Sequence, residues 1–203
     1  MNMGLVEQAV SALRNGAMLV VVDDEQRENE GDLVVAAEKI SAKDVNFMAT
    51  FGRGLICAPT SEQNLSRLDI PLMVNNNTEL HHTLFTVSVD AAGTGTGISA
   101  FDRALTIKLL ANPQAKPSDF RRPGHVFPLQ AAKGGLKQRQ GHTEAAVELA
   151  TLAGLSPCAA ICEIMSKDGT MARGPELEQF ASRHGLKIIT IAQLADFLEK
   201  RET

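Results

Sequence analysis

From Leu5 to Leu13 the apolar residues Leu5, Val6, Ala9, Val10 and Leu13 recur at helical spacing, and Gly16 follows where a C-terminal cap belongs. That spacing predicts a first helix over residues 4–15. Residues 17–23 and 32–38 are rich in Val and Leu and predict two strands, separated by the charged segment DDEQRENEGD (Asp23–Asp32). Ser41 and Asp44 stand as a capping box would, so a second helix is expected to about Thr50. Next, GRGLICAPT predicts a short strand ending at Pro59, residues 61–68 a short helix, and the alternation in LFTVSVDA (Leu84–Ala91) a half-buried strand. A helix from about Ser99 stops near Pro113, and a polar loop through NPQAKPSDFRRPG leads to a strand over Val126–Ala131. The remainder reads as a helix in HTEAAVELATLAG, a buried strand in CAAICEIM, a helix in GPELEQFASRHG with Pro175 near its first position, a strand in LKIITI and a final helix. Strands and helices mix without strict alternation. This predicts an α+β fold: a mixed parallel and antiparallel twisted sheet flanked by helices in layers, with residues 1–203 in a single domain.

With 44% hydrophobic and 22% charged residues, the chain can bury a core large enough to offset its conformational entropy. The formal charge is -4, no run of Lys or Arg occurs, and Trp and Tyr are absent. Neither the basic footprint nor the aromatic platform of a nucleic-acid-binding protein is present, so no nucleic-acid partner is expected. The opening residues lack the basic flank and apolar core of a signal peptide, and no stretch approaches the ~18 apolar residues of a membrane helix. A cytoplasmic protein without membrane contact is expected. Cys57, Cys158 and Cys162 form no CxxC pair and are expected to be reduced and buried.

Six of the ten residues in Asp23–Asp32 are acids, with Arg27 among them. A solvated hairpin loop is the plain reading. In extended backbone, however, Glu28 and Glu30 point the same way and Asp32 continues their row, a set suited to a divalent cation or to a general base. In RRPGHVFPL, His125 follows Pro-Gly at the mouth of a strand, where an imidazole can reach a substrate or serve only structure. Arg121 and Arg122 could hold phosphate or sit in solvent. In RQGHTEA, Gly141 permits close approach to a helix start, Thr143 supplies a hydroxyl and Arg139 a charge, which together make an anion site. Thr143 as an ordinary N-cap is the alternative, and His142 is a metal ligand or an exposed cap residue.

Glu163 interrupts the apolar run AAICEIM and must be paired, protonated or at a strand end, because an isolated buried charge is costly. Cys57 reads as a small buried hydrophobe. The glycine-rich GTGTGIS (Gly93–Ser99) lacks the lysine of a phosphate loop and is expected to be a turn or a substrate-facing loop. His81 and His82, adjacent in a polar stretch, are expected on the solvent side.

Together RENEGD, GTGISAFDR, AKPSDFRRPGHVFPL, GHTEA, CEIM and DGTMARGPELEQFA, in this order along almost the whole chain, resemble the 3,4-dihydroxy-2-butanone 4-phosphate synthases of riboflavin biosynthesis. The resemblance implies a lyase that converts D-ribulose 5-phosphate into formate and 3,4-dihydroxy-2-butanone 4-phosphate with a divalent metal, Mg2+ or Mn2+. It implies a homodimer with each active site completed across the subunit interface. It also implies that Glu28 and His142 ligate the metal and that Arg27, Glu28, Asp32, Arg139, Gln140, Gly141, His142, Thr143 and Glu163 bind substrate. His125 and Glu163 match residues needed for catalysis, Glu28, Glu30 and Asp32 supply further acids and bases, and Cys57 matches a position lining the site. Some relatives continue into a GTP cyclohydrolase II domain. The competing readings are a nucleotide- or RNA-binding module of the threonylcarbamoyl-adenylate type, disfavoured by the acidic balance, and a sugar-phosphate isomerase using the same enediol.

Overall fold

The two valine-rich runs beside the charged segment become β1 (Leu19–Val22) and β2 (Gly31–Ala36), an antiparallel pair in which Leu19 faces Val34 and Val22 faces Gly31. Their apolar character is continuous because both faces of the sheet are covered. Leu19, Val21, Val34 and Ala36 enter one core, while Val20, Leu33 and Val35 enter the other. This computed structural model describes residues 4–202. The other elements are α1 (Leu5–Arg14), α2 (Ala42–Phe47), β3 (Cys57–Thr60), α3 (Glu62–Arg67), β4 (Leu84–Phe85), β5 (Val89–Ala91), α4 (Ala100–Ala111), β6 (Phe120–Gln130), α5 (His142–Leu152), β7 (Ala159–Glu163), α6 (Pro175–His184), β8 (Lys187–Thr190) and α7 (Ile191–Glu202).

The strands order as β4-β6-β3-β7-β2-β1-β8, with β5 also paired to β6. β1–β8 and β3–β6 are parallel and the other pairs antiparallel, so the sheet is mixed as the sequence predicts. Val6, Ala9 and Leu13 of α1, Ala145, Ala146 and Leu149 of α5, and Leu194 of α7 cover one face. Val45 of α2, Ala104, Ile107 and Leu110 of α4, and Leu177 and Ala181 of α6 cover the other. No helix among the described residues is long and apolar enough to cross a membrane.

Several boundaries differ from the expected ones for stated reasons. The second helix ends its regular turns at Phe47 and widens into a π-helical turn, Met48–Gly52, rather than running evenly to Thr50. LFTVSVDA is two short strands, because Thr86 turns its N–H (3.1 Å) and hydroxyl (2.9 Å) to the Pro128 carbonyl while the Val87 N–H bonds Pro71 O. β6 begins at Phe120, six residues before the expected Val126, since β5 supplies a partner for what reads as a loop. Pro59 lies inside β3 instead of ending it. Its missing donor falls in a gap of the β3–β7 ladder, which is bridged only at Cys57↔Ile161 and Thr60↔Cys158.

Candidate active site

The acidic segment is a loop built around one buried side chain. Asp23 directly follows β1, and its own N–H donates to Glu30 O (3.2 Å). Its fully buried carboxylate accepts from the Glu28 N–H (3.2 Å), the Glu30 N–H (2.9 Å) and Arg27 Nη1 (2.7 Å). Asn29 takes a left-handed conformation (φ 53), so Glu28, Glu30 and Asp32 are not the straight extended row that alternation predicts. They converge nonetheless. Glu28 is brought in by the turn and by Arg27 Nη1 at 2.7 Å, and Asp32 stands second in β2. From the segment before α6, Arg173 donates to Glu28 O (3.3 Å) and pairs with Glu30 Oε1 (3.2 Å).

The opposite wall is the start of α5. This helix begins at His142 with Gly141 as its N-cap and no side-chain cap, so the alternative of Thr143 as N-cap does not hold. The first-turn amides are left for other partners. His142 is buried with Nδ1 3.6 Å from Glu28 Oε2, and its buried Nε2 has no hydrogen-bond partner among the described residues. Arg139 is anchored by Glu144 (2.6 Å), Thr83 Oγ1 (2.7 Å) and His81 O (3.2 Å). His81 is not on the solvent side: it is half-buried, with Nε2 3.6 Å from Glu28 Oε1. His82 is exposed.

The floor is the end of β7. Glu163 is the last residue of that strand, directly opposite Asp32, and its Oε2 accepts the Leu55 N–H at 2.8 Å. Gly54 lies so close that a methyl group there would collide with the Glu163 side chain and backbone. These walls enclose a cavity of about 220 Å³ lined by Arg27, Glu28, Glu30, Asp32, Cys57, Arg139, His142, Thr143 and Glu163, with Glu79, Thr83 and Phe85 at its side. Gln140 does not line it, being exposed at a separate hollow beside Lys133 and Gly134. His125 does not line it either. Larger hollows of about 590 and 840 Å³ occur elsewhere, but among the described residues the cluster able to hold a metal lies here.

Ligand atoms of Asp23, Glu28 and His142 all fall within 4.8 Å of one another. Asp23 is already used by two amides and a guanidinium, which leaves Glu28 and His142 as the open donors. The His142 imidazolium foremost, with Arg27 assisting against burial, holds the Glu28 carboxyl down to about 2. Burial works against charge on His142, but Asp32, Glu28 and Asp23 outweigh it and carry the ring to about 9. Burial pushes Asp32 well above the usual carboxylate range, with Glu163, Glu28 and Glu30 adding to the shift and His142 opposing it. Burial first, then Glu163 and Asp32, raises the Cys57 thiol, so it stays protonated. The site therefore gathers several carboxylates around a charged imidazole, an environment that a dication would complete.

The sequence profile of the 3,4-dihydroxy-2-butanone 4-phosphate synthases matches residues 7–197. The chain is 58% identical over 201 residues to riboflavin biosynthesis protein RibBA of Aquifex aeolicus (strain VF5), covering 98% of this chain and 50% of that protein. It is 55% identical over 192 residues to RibBA of Bacillus subtilis (strain 168), covering 95% of this chain and 48% of that protein. The chain thus spans about half the length of the curated relatives it matches. Among solved structures it resembles a 3,4-dihydroxy-2-butanone 4-phosphate synthase in complex with two magnesium ions, at TM-score 0.93 and 46% identity, covering 98% of this chain and 99% of that one. It also resembles RibBX of A. baumannii, a two-domain synthase, at TM-score 0.90 and 50% identity, covering 93% of this chain and 56% of that one.

Proposed function

The chain belongs to the 3,4-dihydroxy-2-butanone 4-phosphate synthase family, and on that premise we propose that it converts D-ribulose 5-phosphate into 3,4-dihydroxy-2-butanone 4-phosphate and formate. The observation that carries this reading is the approach of Glu28 and His142, from β-hairpin and helix start, to 3.6 Å beside a cluster of carboxylates. Their donor chemistry fits a divalent ion, Mg2+ or Mn2+, since a carboxylate oxygen suits either and an imidazole favours Mn2+. When bound, such an ion lowers the cost of removing a proton from carbon next to a ketone.

The chain's own residues do the rest. Arg139, the open amides at the start of α5 and the Thr143 hydroxyl receive the phosphate end of the substrate, with Gly141 allowing close approach. Arg27 contacts the sugar from the loop. Asp32, whose carboxyl pKa is raised by burial, meets a substrate hydroxyl, while Glu28, Glu30 and Glu163 surround the sugar with further acid–base groups. Protonated Cys57 acts as wall rather than nucleophile.

His125 is absent from this cavity, which supports a homodimer whose subunits each lend a histidine to the other. Its ring pairs with Asp90, whose carboxylate packs against Gly97, and the neighbouring Ile98 and Phe101 are exposed, Phe101 at 79%. Such an apolar face suits contact with a second copy.

The deciding experiment is NMR of purified protein with 13C-labelled ribulose 5-phosphate, with and without EDTA. Formate together with a four-carbon phosphate, lost on chelation, is expected. An isomerase would yield only another five-carbon phosphate, and that result would sink the proposal.

A further inference from the structure

We propose that Asp90 is the positioning residue of His125, locking its ring so that Nε2 is presented outward to the active site of a second copy of this chain. This rests on the reading above that His125 serves a partner's site. β5 and β6 lose register between Val89 and Asp90: Val89 pairs with Val126, but Asp90 pairs with Arg121. Residues 122–125 are thereby thrown out of the ladder as a bulge, a device that re-aims side chains. His125 is the last of them.

Asp90 grips it twice. Oδ1 accepts the His125 N–H at 2.8 Å and Oδ2 lies 2.7 Å from Nδ1. The imidazole is 45% exposed, so the bond does not serve to bury the ring. What it does fix is orientation. With the carboxylate accepting from Nδ1–H, the ring is held in one tautomer and Nε2 keeps a free lone pair.

The glycine-rich turn that the proposed reaction leaves unused is the cradle for this carboxylate. Gly97 (φ 84) packs against Asp90 so closely that any Cβ would overlap the carboxylate, and a Cβ at Gly124 would strike the Val89 and Asp90 backbone. The Gly97 N–H donates to Asp102 (3.2 Å), which Ser99 ties into the first turn of α4 (3.0 Å). Glycines here are set by the space the dyad needs.

Asp90→Asn is isosteric, and its amide would donate to the imidazole and turn the ring to the other tautomer. The expected result is a fall in kcat of about 100-fold or more with KM nearly unchanged. Long-range 1H–15N NMR should show His125, assigned by its loss in His125→Ala, switching from Nδ1–H to Nε2–H. Subunit mixing gives a third readout. Co-expressed Glu28→Gln with His125→Ala should regain one working site per heterodimer, as should Glu28→Gln with Asp90→Asn. Asp90→Asn with His125→Ala should regain none. An Asp90→Asn enzyme with kcat within about threefold of wild type, or an unchanged His125 tautomer, overturns the assignment. If no pair regains activity while the tautomer switches as expected, the sharing of sites between subunits fails and Asp90 stands only as the residue that orients His125.

Discussion

At residue scale, if Glu28 and His142 hold the metal as proposed, that pair determines how metal and protons compete. His142 is raised to about 9 and Glu28 lowered to about 2, so near neutral pH the ring is protonated and the carboxyl is not. A metal ligand must be neutral imidazole, and one proton therefore leaves as the ion enters. Apparent affinity for Mn2+ should climb about tenfold per pH unit from near neutrality toward 9 and flatten above it. Titration calorimetry at about pH 7.5 in buffers of different ionisation enthalpy should register release of about one proton. A pH-independent affinity would mean that the ring is already neutral. Much of this site was legible in single residues. Glu163, an acid in an apolar run, had to be paired, protonated or at a strand end, and it is the last residue of β7. His142, in contrast, has a plain alternative as an exposed cap, and it was the resemblance that picked it out. Asp23, His81 and Arg173 had no local signal. The partners of His81 and Arg173 lie in other segments, as Arg173 meets Glu28 and Glu30 more than a hundred residues away. A short polar side chain directly after a buried strand, preceding a turn, is the one cue that could have marked Asp23.

At the scale of elements, the valine-rich runs and helical spacings were readable because burial on one or both faces imposes them. The misplaced boundaries are those that a partner strand decides: β5 extends β6 backward, and the Pro128 carbonyl breaks LFTVSVDA in two. The loop Asp23–Glu30 has the same dependence on a single partner. Asp23 supplies the acceptor for two amides that the turn would otherwise leave unpaired. Asp23→Ala should cost about 1–3 kcal/mol, the usual penalty for unmade buried hydrogen bonds. In a chain of this length that is roughly 2–12 °C in Tm. The larger effect should be local. Limited proteolysis should cut within residues 23–30 far faster than in the wild type, and turnover should fall because Glu28 no longer meets His142. An uncut loop with normal turnover would show that Arg27 and Arg173 hold it without Asp23.

At the scale of the whole molecule, strand order was beyond reach of periodicity, since a spacing says which face is buried and not which strand lies beside it. The layered mixed sheet follows from composition of the strands, but the sequence β4-β6-β3-β7-β2-β1-β8 depends on long-range register. That order has a functional consequence. It gathers β2, β3 and β7 at the carboxylate cavity while leaving His125 on β6 next to α4, whose outer face shows Phe101 and Leu105, 79% and 47% exposed. A monomer would hold a cavity without its histidine and an apolar face without cover. If both needs are met by one two-fold contact, Phe101→Glu with Leu105→Glu should split the dimer, because charge on a buried apolar interface is costly. Neither side chain is needed to cover the sheet, so the monomer should keep its circular dichroism and remain able to bind Mn2+ through Glu28 and His142. Turnover should nevertheless fall by about 100-fold or more, the scale of losing an acid–base residue. Analytical ultracentrifugation and a rate assay on the same sample check both halves. A fully active monomer would remove the reason for assigning His125 to a second subunit.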